Sequence, residues 1–214
     1  MQLFRINEIK IENQMIYTLE FDPFNTYNYF DLLTTQEVER ALSFKSLRRR
    51  HEFVATRILR HEIFGFNHIK YNEVGAPYIE EEGFISISHA DGIVGIALNK
   101  SHEVSLDIET ISNQAIRLRD KFLSENERKK LNIDSPIEMT KAWSLKEVLY
   151  KLSGKKGLHF KEQLLLEKQN DENWLGRLIY DDHLIAVELF TFVREKVIIS
   201  CNTGRKKFVH DGLR

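Results

Sequence analysis

A chain of 214 residues with 42% hydrophobic side chains is long enough to bury a full core, as one domain or as two halves of about 100 residues each. Lys and Arg number 31 against 32 Asp and Glu, a net charge of -1, so no global field favours nucleic acid or an anionic membrane, and electrostatic specialisation has to be local. The single cysteine, Cys201, excludes a disulfide framework and reads as a buried strand residue; Arg5, Glu8 and Lys10 interrupt any signal-peptide core, and no stretch approaches about 18 uninterrupted apolar residues, so a reducing cytoplasmic setting is expected.

In chain order, residues 35–64 predict a helix pair. Thr34 or Thr35 stands ahead of Glu37 as a capping arrangement, Phe53, Ile58, Leu59 and Ile63 form an apolar stripe with arginines between, and Gly65 and Asn67 stop the second helix. From 69 to 104 the period changes to two. Strands are expected at 84–88 and 93–98, joined by a turn over His89, Ala90, Asp91 and Gly92. A further strand over 103–108 carries Asp107 near its end. Ser124 and Glu127 have capping-box spacing for a short helix, and Pro136 opens a longer one through Tyr150. Four more strands follow between 164 and 201, and the last ten residues read as a frayed tail. Periodicity supports an α+β fold with strands in both halves, divided softly into 1–102 and 103–214.

Asp107 and Glu109 are one residue apart, so on a strand their carboxylates project from the same face. Two hard oxygen ligands suit magnesium, which takes one or two carboxylates with waters and substrate phosphates. Alone, Asp-x-Glu is common on solvated strand edges. On the long helix, Glu147 and Lys151 are four residues apart and share a face; an exposed ion pair of about 0.3 kcal/mol is the plain alternative. Trp143, Leu145, Val148, Leu149 and Leu152 leave little room for a wholly solvated helix, which places these charges at the mouth of a crevice. A carboxylate beside Lys146 and Lys151 suits a magnesium-phosphate complex.

The strand Val104, Ser105, Leu106, Asp107, Ile108, Glu109, followed about forty positions later by Trp143, Ser144, Leu145, Lys146, Glu147, Val148, Leu149, Tyr150, Lys151, resembles the two-part signature of 4'-phosphopantetheinyl transferases, most closely the long, Sfp-like class. The intervening Phe122 to Glu127 and the following Lys151 to Leu158 resemble it too. Upstream, Ile87, Ser88, His89 and Ala90 look like the family's Ser-His turn, the stretch from Tyr71 to Pro77 looks like its Gly-Lys-Pro segment, and the one from Arg48 to Arg60 looks like its arginine-bearing helix.

The resemblance implies two similar α/β halves related by a pseudo-two-fold axis in a monomer, with coenzyme A between them. It implies a holo-[acyl-carrier-protein] synthase: Mg2+ held by Asp107, Glu109 and Glu147, and transfer of the phosphopantetheine arm to a serine of an apo acyl, peptidyl or aryl carrier protein, releasing adenosine 3',5'-bisphosphate. Glu147, Lys151 and Asp107 would be catalytic. Lys146 and Lys151 would balance the pyrophosphate, His89 and Arg60, with Arg57 or Arg50, would contact the 3'-phosphate, and Ser88, Gly75 and Pro77 would line the cofactor. Two positions depart from the family. Ala76 stands where a lysine is typical, with Arg48 to Arg50 or Lys70 as candidates to compensate, and Ser105 stands where glycine is typical. Arg117, Arg119, Lys121, Arg128, Lys129 and Lys130 are expected to dock an acidic carrier, or else to form a solvated helix face. Two alternatives stay open: a coenzyme A-binding homologue with lost or weak transfer, and a metal-dependent phosphodiesterase. The second would need a basic groove that the charge balance does not offer.

Overall fold

The computed structural model describes residues 4–181, 183–204 and 206–209. The chain divides into two compact units, Met1–Ser101 and His102–Arg214. The first opens with β1 (Phe4–Ile11) and β2 (Gln14–Phe21), an antiparallel hairpin turning at Glu12, whose φ is 51°. Sequence reading missed this hairpin. In β1 the apolar pairs Phe4, Ile6 and Ile9, Ile11 change phase midway, and Arg5, Glu8 and Lys10 hide the period of two.

A 3-10 helix (Thr26–Leu32) leads into α1 (Thr35–Ser43) and α2 (Leu47–Phe64). Thr34 and Glu37 cap α1 reciprocally, each side chain accepting the other's backbone N–H, and Gly65 at φ 59° closes α2. Strands β3 (Lys70–Tyr71), β4 (Pro77–Ile79), β5 (Gly83–Ala90) and β6 (Ile93–Asn99) complete a sheet in the order β1-β2-β6-β5-β4-β3. Val54, Ala55, Ile58 and Leu59 of α2 join Ile85, Val94 and Ile96 in the core. Ala90 pairs with Ile93, so the turn is Asp91 and Gly92 alone. His89, expected in that turn, lies within β5 paired with Val94 instead.

The second unit runs β7 (Leu106–Thr110), α3 (Gln114–Phe122), α4 (Glu125–Lys130), α5 (Pro136–Ser153), β8 (Leu164–Lys168), β9 (Asn173–Tyr180), β10 (His183–Arg194), β11 (Val197–Asn202) and β12 (Lys207–Val209). Its strands order as β7-β11-β10-β9-β8, with β12 on β10. Lys207 to Val209, expected to fray, pair with Ala186 to Leu184; Arg205 and residues 210–214 of that expected tail, like residues 1–3, lie outside the described residues. Cys201 is buried in β11 as expected.

Helix α5 positions the site, and its sequence explains it. Ser135 accepts the Glu138 N–H as N-cap, Pro136 sits in the first turn, and Gly154 stops the helix in the left-handed region at φ 62°. Met139, Ala142, Leu145, Val148, Leu149 and Leu152 bury against Trp174, Leu178, Val187 and Leu189, each large side chain contributing about 1.5–3 kcal/mol. Gly176 lets the layers close: a Cβ there would lie 2.6 Å from Leu149 Cδ2 and 2.8 Å from Leu189 Cδ1. The result is a mixed fold with two antiparallel sheets and helices, in keeping with the α+β class. Among the described residues, no helix is long and apolar enough to cross a membrane.

Candidate active site

Asp107 and Glu109 occupy alternate positions of β7, with Ile108 directed into the core between them. Helix α5 supplies the opposing side chains. Lys151 Nζ donates to Asp107 Oδ1 at 2.8 Å and to the Leu106 carbonyl at 2.8 Å, and the Trp143 indole N–H donates to Glu109 Oε1 at 2.9 Å. Glu147 lies close enough to feel Asp107, Glu109 and Lys151 together. Burial and then the charge of Asp107 push its carboxyl up to about 7, with Lys151 pulling the other way and Glu109 adding to the rise. Glu109 is raised as well, by burial and then by Asp107, against the indole hydrogen bond and Lys151. Trp143, Glu147, Tyr150 and Lys151 form the less buried face of α5, so helical spacing delivers this group as a unit.

With Asp107 raising the proton affinity of both Glu109 and Glu147, these carboxylates are an oxygen donor set whose repulsion a hard divalent cation would relieve. Among the described residues no three His, Cys, Asp or Glu groups are already gathered into a metal cage. In this arrangement Glu109 accepts from Trp143 and Asp107 from Lys151. The donor chemistry fits magnesium.

Lys146 corrects the sequence reading. It is 0% exposed, and its ammonium donates to the carbonyls of Phe122 (2.5 Å) and Phe160 (2.9 Å) and to Glu127 Oε2 (2.9 Å). A lysine has three N–H donors, and these partners use all of them. Burial lowers its pKa against the pull of Glu127. Glu127 is buried too, accepting from the backbone N–H groups of Ser124 and Leu166. Lys146 therefore binds the unit together and does not face a phosphate. The signal was present: Lys146 lies on the helical face of Met139, Ala142, Leu149 and Ser153, all buried. Glu127 as its partner, nineteen positions away, had no sequence signal.

In the first unit, Arg60 and Arg57 are likewise turned inward. Arg60 is 0% exposed and donates to the carbonyls of Leu32 and Asn67, with His68 Nδ1 at 3.0 Å. Arg57 is buried against Glu37 at 2.8 Å, with its guanidinium 3.7 Å from the centre of the Phe53 ring. Arg50 reaches the carbonyls of Ala41 and Phe44 at the end of α1. Each guanidinium is held by internal acceptors, against the expected phosphate contact. The outward groups are others. Arg48, 61% exposed, donates to the buried Glu52 at 2.8 Å, and His89, 43% exposed, has Nδ1 3.3 Å from the same carboxylate. Ser88 is buried in β5. Gly75, at φ 86°, and Ala76 lie in an exposed turn folded around the Asn72 side chain, which accepts the Ala76 N–H, and Pro77 begins β4. Lys70 is paired with Glu80.

Ser105 is buried just before β7. Its N–H donates to Asn202 Oδ1 at 2.7 Å, and its hydroxyl has no hydrogen-bond partner among the described residues. On α3 and α4, Arg117, Lys121, Lys129 and Lys130 are exposed, Arg128 pairs with Asp120 at 3.0 Å, and Arg119 is partly buried beside the Ile116 carbonyl.

Residues 103–198, which hold the three carboxylates and both lysines, match the family model described as the 4'-phosphopantetheinyl transferase superfamily. Over these residues the chain is similar to that superfamily. It is also 33% identical over 88 residues to the 4'-phosphopantetheinyl transferase gsp of Aneurinibacillus migulanus, an alignment covering 39% of this chain and 37% of that relative. The matched segment lies wholly in the second unit, so the Arg48, Glu52 and His89 group of the first is outside it.

Proposed function

We propose that this chain is a 4'-phosphopantetheinyl transferase of the long, Sfp-like class: it moves the phosphopantetheine arm of coenzyme A onto a serine of an apo acyl, peptidyl or aryl carrier protein and releases adenosine 3',5'-bisphosphate. The supporting observation is the convergence of Asp107, Glu109, Glu147 and Lys151 on β7 and α5 within the superfamily segment. Asp107, Glu109 and Glu147 would hold Mg2+, which when bound supplies charge neutralisation to the pyrophosphate.

The protein's own part is to position groups and move a proton. The serine hydroxyl gives its proton to a carboxylate of the site, and Glu147 is the candidate for that role. The serine oxygen bonds to the β-phosphorus, and the bond from that phosphorus to the bridging oxygen breaks. The electron pair leaves on the α-phosphate, where the Lys151 ammonium offsets the new charge. Arg48 and His89 are the groups proposed for the 3'-phosphate, in place of Arg57 and Arg60, with Gly75, Pro77 and Ser88 lining the remainder. Two similar halves related by a pseudo-two-fold axis, acting as a monomer in the cytoplasm, complete the reading.

The test is a reaction of purified protein with coenzyme A, Mg2+ and a panel of apo carriers, following adenosine 3',5'-bisphosphate by chromatography. Release that depends on carrier supports transfer. Release without carrier would point to a phosphodiesterase, and binding of coenzyme A without release to a homologue that no longer transfers.

A further inference from the structure

Trp143 is the one site side chain that the proposed chemistry leaves without a task, yet its surroundings are the most constructed in the unit. Its indole is stacked on Phe160, with ring centres 5.4 Å apart and planes at 20°, and meets Phe122 edge-on at 5.3 Å. Tyr150, two helical turns along, packs against Phe160 at 5.5 Å. The backbones of both flanking aromatics are fixed by one group: the buried ammonium of Lys146, which takes the Phe122 and Phe160 carbonyls together and is itself anchored by Glu127. The single polar atom of the indole then points at Glu109 Oε1, 2.9 Å away.

From this arrangement we propose that Trp143 is a positioning residue for Glu109, and that the Lys146–Glu127 pair holds the aromatic frame that aims it. The inference rests on the reading of Asp107, Glu109 and Glu147 as a divalent-cation site and deepens it. An indole N–H is a donor only, so it engages the carboxylate as an acceptor and favours its ionised form, the form that can ligate. By occupying Oε1 it leaves Oε2 as the oxygen for the ion. Packed between two other rings, the indole is restrained in orientation, which helps keep Glu109 aligned with Asp107 on the same face of β7. Partners of metal-ligating groups of this kind are worth about 10–100-fold in metal affinity.

Phenylalanine at 143 keeps a ring in the aromatic sandwich and removes only the donor. The measurement is Mn2+ binding to the otherwise unliganded protein, read from the free-ion signal by electron paramagnetic resonance, for wild type, Trp143→Phe and Phe160→Leu, with near-UV circular dichroism as the check on folding. Trp143→Phe is expected to weaken Mn2+ binding about 10–100-fold and to raise the metal concentration for half-maximal transfer in step, while kcat at saturating metal stays within about two-fold. Phe160→Leu keeps the N–H but frees the ring, and weakens Mn2+ by a smaller factor; it decides the matter alone if Trp143→Phe does not fold. Unchanged Mn2+ affinity in the folded variants overturns the positioning role while leaving the transferase reading intact. A wild-type protein that takes up no Mn2+ refutes the cation site itself, and this inference with it.

Discussion

Replacing Lys146 separates two accounts of the same lysine. In the structure it is a buried ion-pair partner with two backbone carbonyls in its grip, so Lys146→Met leaves the Glu127 carboxylate buried with only the Ser124 and Leu166 N–H groups. Breaking one side of a buried pair costs about 3–5 kcal/mol, and two carbonyls losing their donor add to this, though less than additively. Against a total stability of about 5–15 kcal/mol for a domain, the loss is a large fraction. Urea unfolding followed by circular dichroism should show a midpoint far below wild type. The double variant Lys146→Met with Glu127→Gln removes both charges and should recover part of the loss, giving a favourable coupling energy in the double-mutant cycle. The opposite pattern, a Lys146→Met protein of wild-type stability with a raised KM for coenzyme A, would refute the structural role and return this lysine to the phosphates.

Other outcomes follow from the same geometry. In EDTA, Glu147 holds its proton more tightly folded, at about 7, than in the unfolded chain near its ordinary 4.5, so its contribution to stability is full below about 4.5 and is lost as pH rises through 7. Comparing urea midpoints at pH 5 and 8 for wild type and Glu147→Gln should show wild type losing about 1–2 kcal/mol relative to the variant, after discounting for partial exposure; parallel pH profiles would contradict it. Gly176→Ala should overpack the contact with Leu149 and Leu189 and lower the urea-derived stability by about 1–3 kcal/mol. Reversing charge at Arg128 and Lys129 should raise the apparent KM for an acidic carrier and leave that for coenzyme A unchanged; an equal effect on both removes the docking proposal.

The parts of this account that sequence carried were local in the chain. The i, i+2 spacing of Asp107 and Glu109 and the i, i+4 spacing of Trp143, Glu147 and Lys151 put side chains on shared faces without reference to anything distant, and both caps, Thr34 with Glu37 and Ser124 with Glu127, form as written. What sequence obscured was which way a cation faces when its partner is far away. Lys146, Arg57 and Arg60 read as ligand groups by type, but each lies on the buried side of its helix and is bonded to acceptors between 7 and 28 positions off, such as Phe160 for Lys146 and Leu32 for Arg60. Their periodicity gave the warning. The β1–β2 hairpin was hidden for a different reason: a half-exposed edge strand carries charges on the face that water covers.

Central to all of this is the claim that the carboxylates of β7 and α5 carry out phosphopantetheine transfer. Intact-protein mass spectrometry of an apo carrier after incubation with coenzyme A, Mg2+ and either wild type, Asp107→Asn or Glu147→Gln tests it most directly. The wild-type protein should add one phosphopantetheine to the carrier, and each variant, folded by circular dichroism, should add none on the same timescale; full modification by either variant would contradict the assigned site.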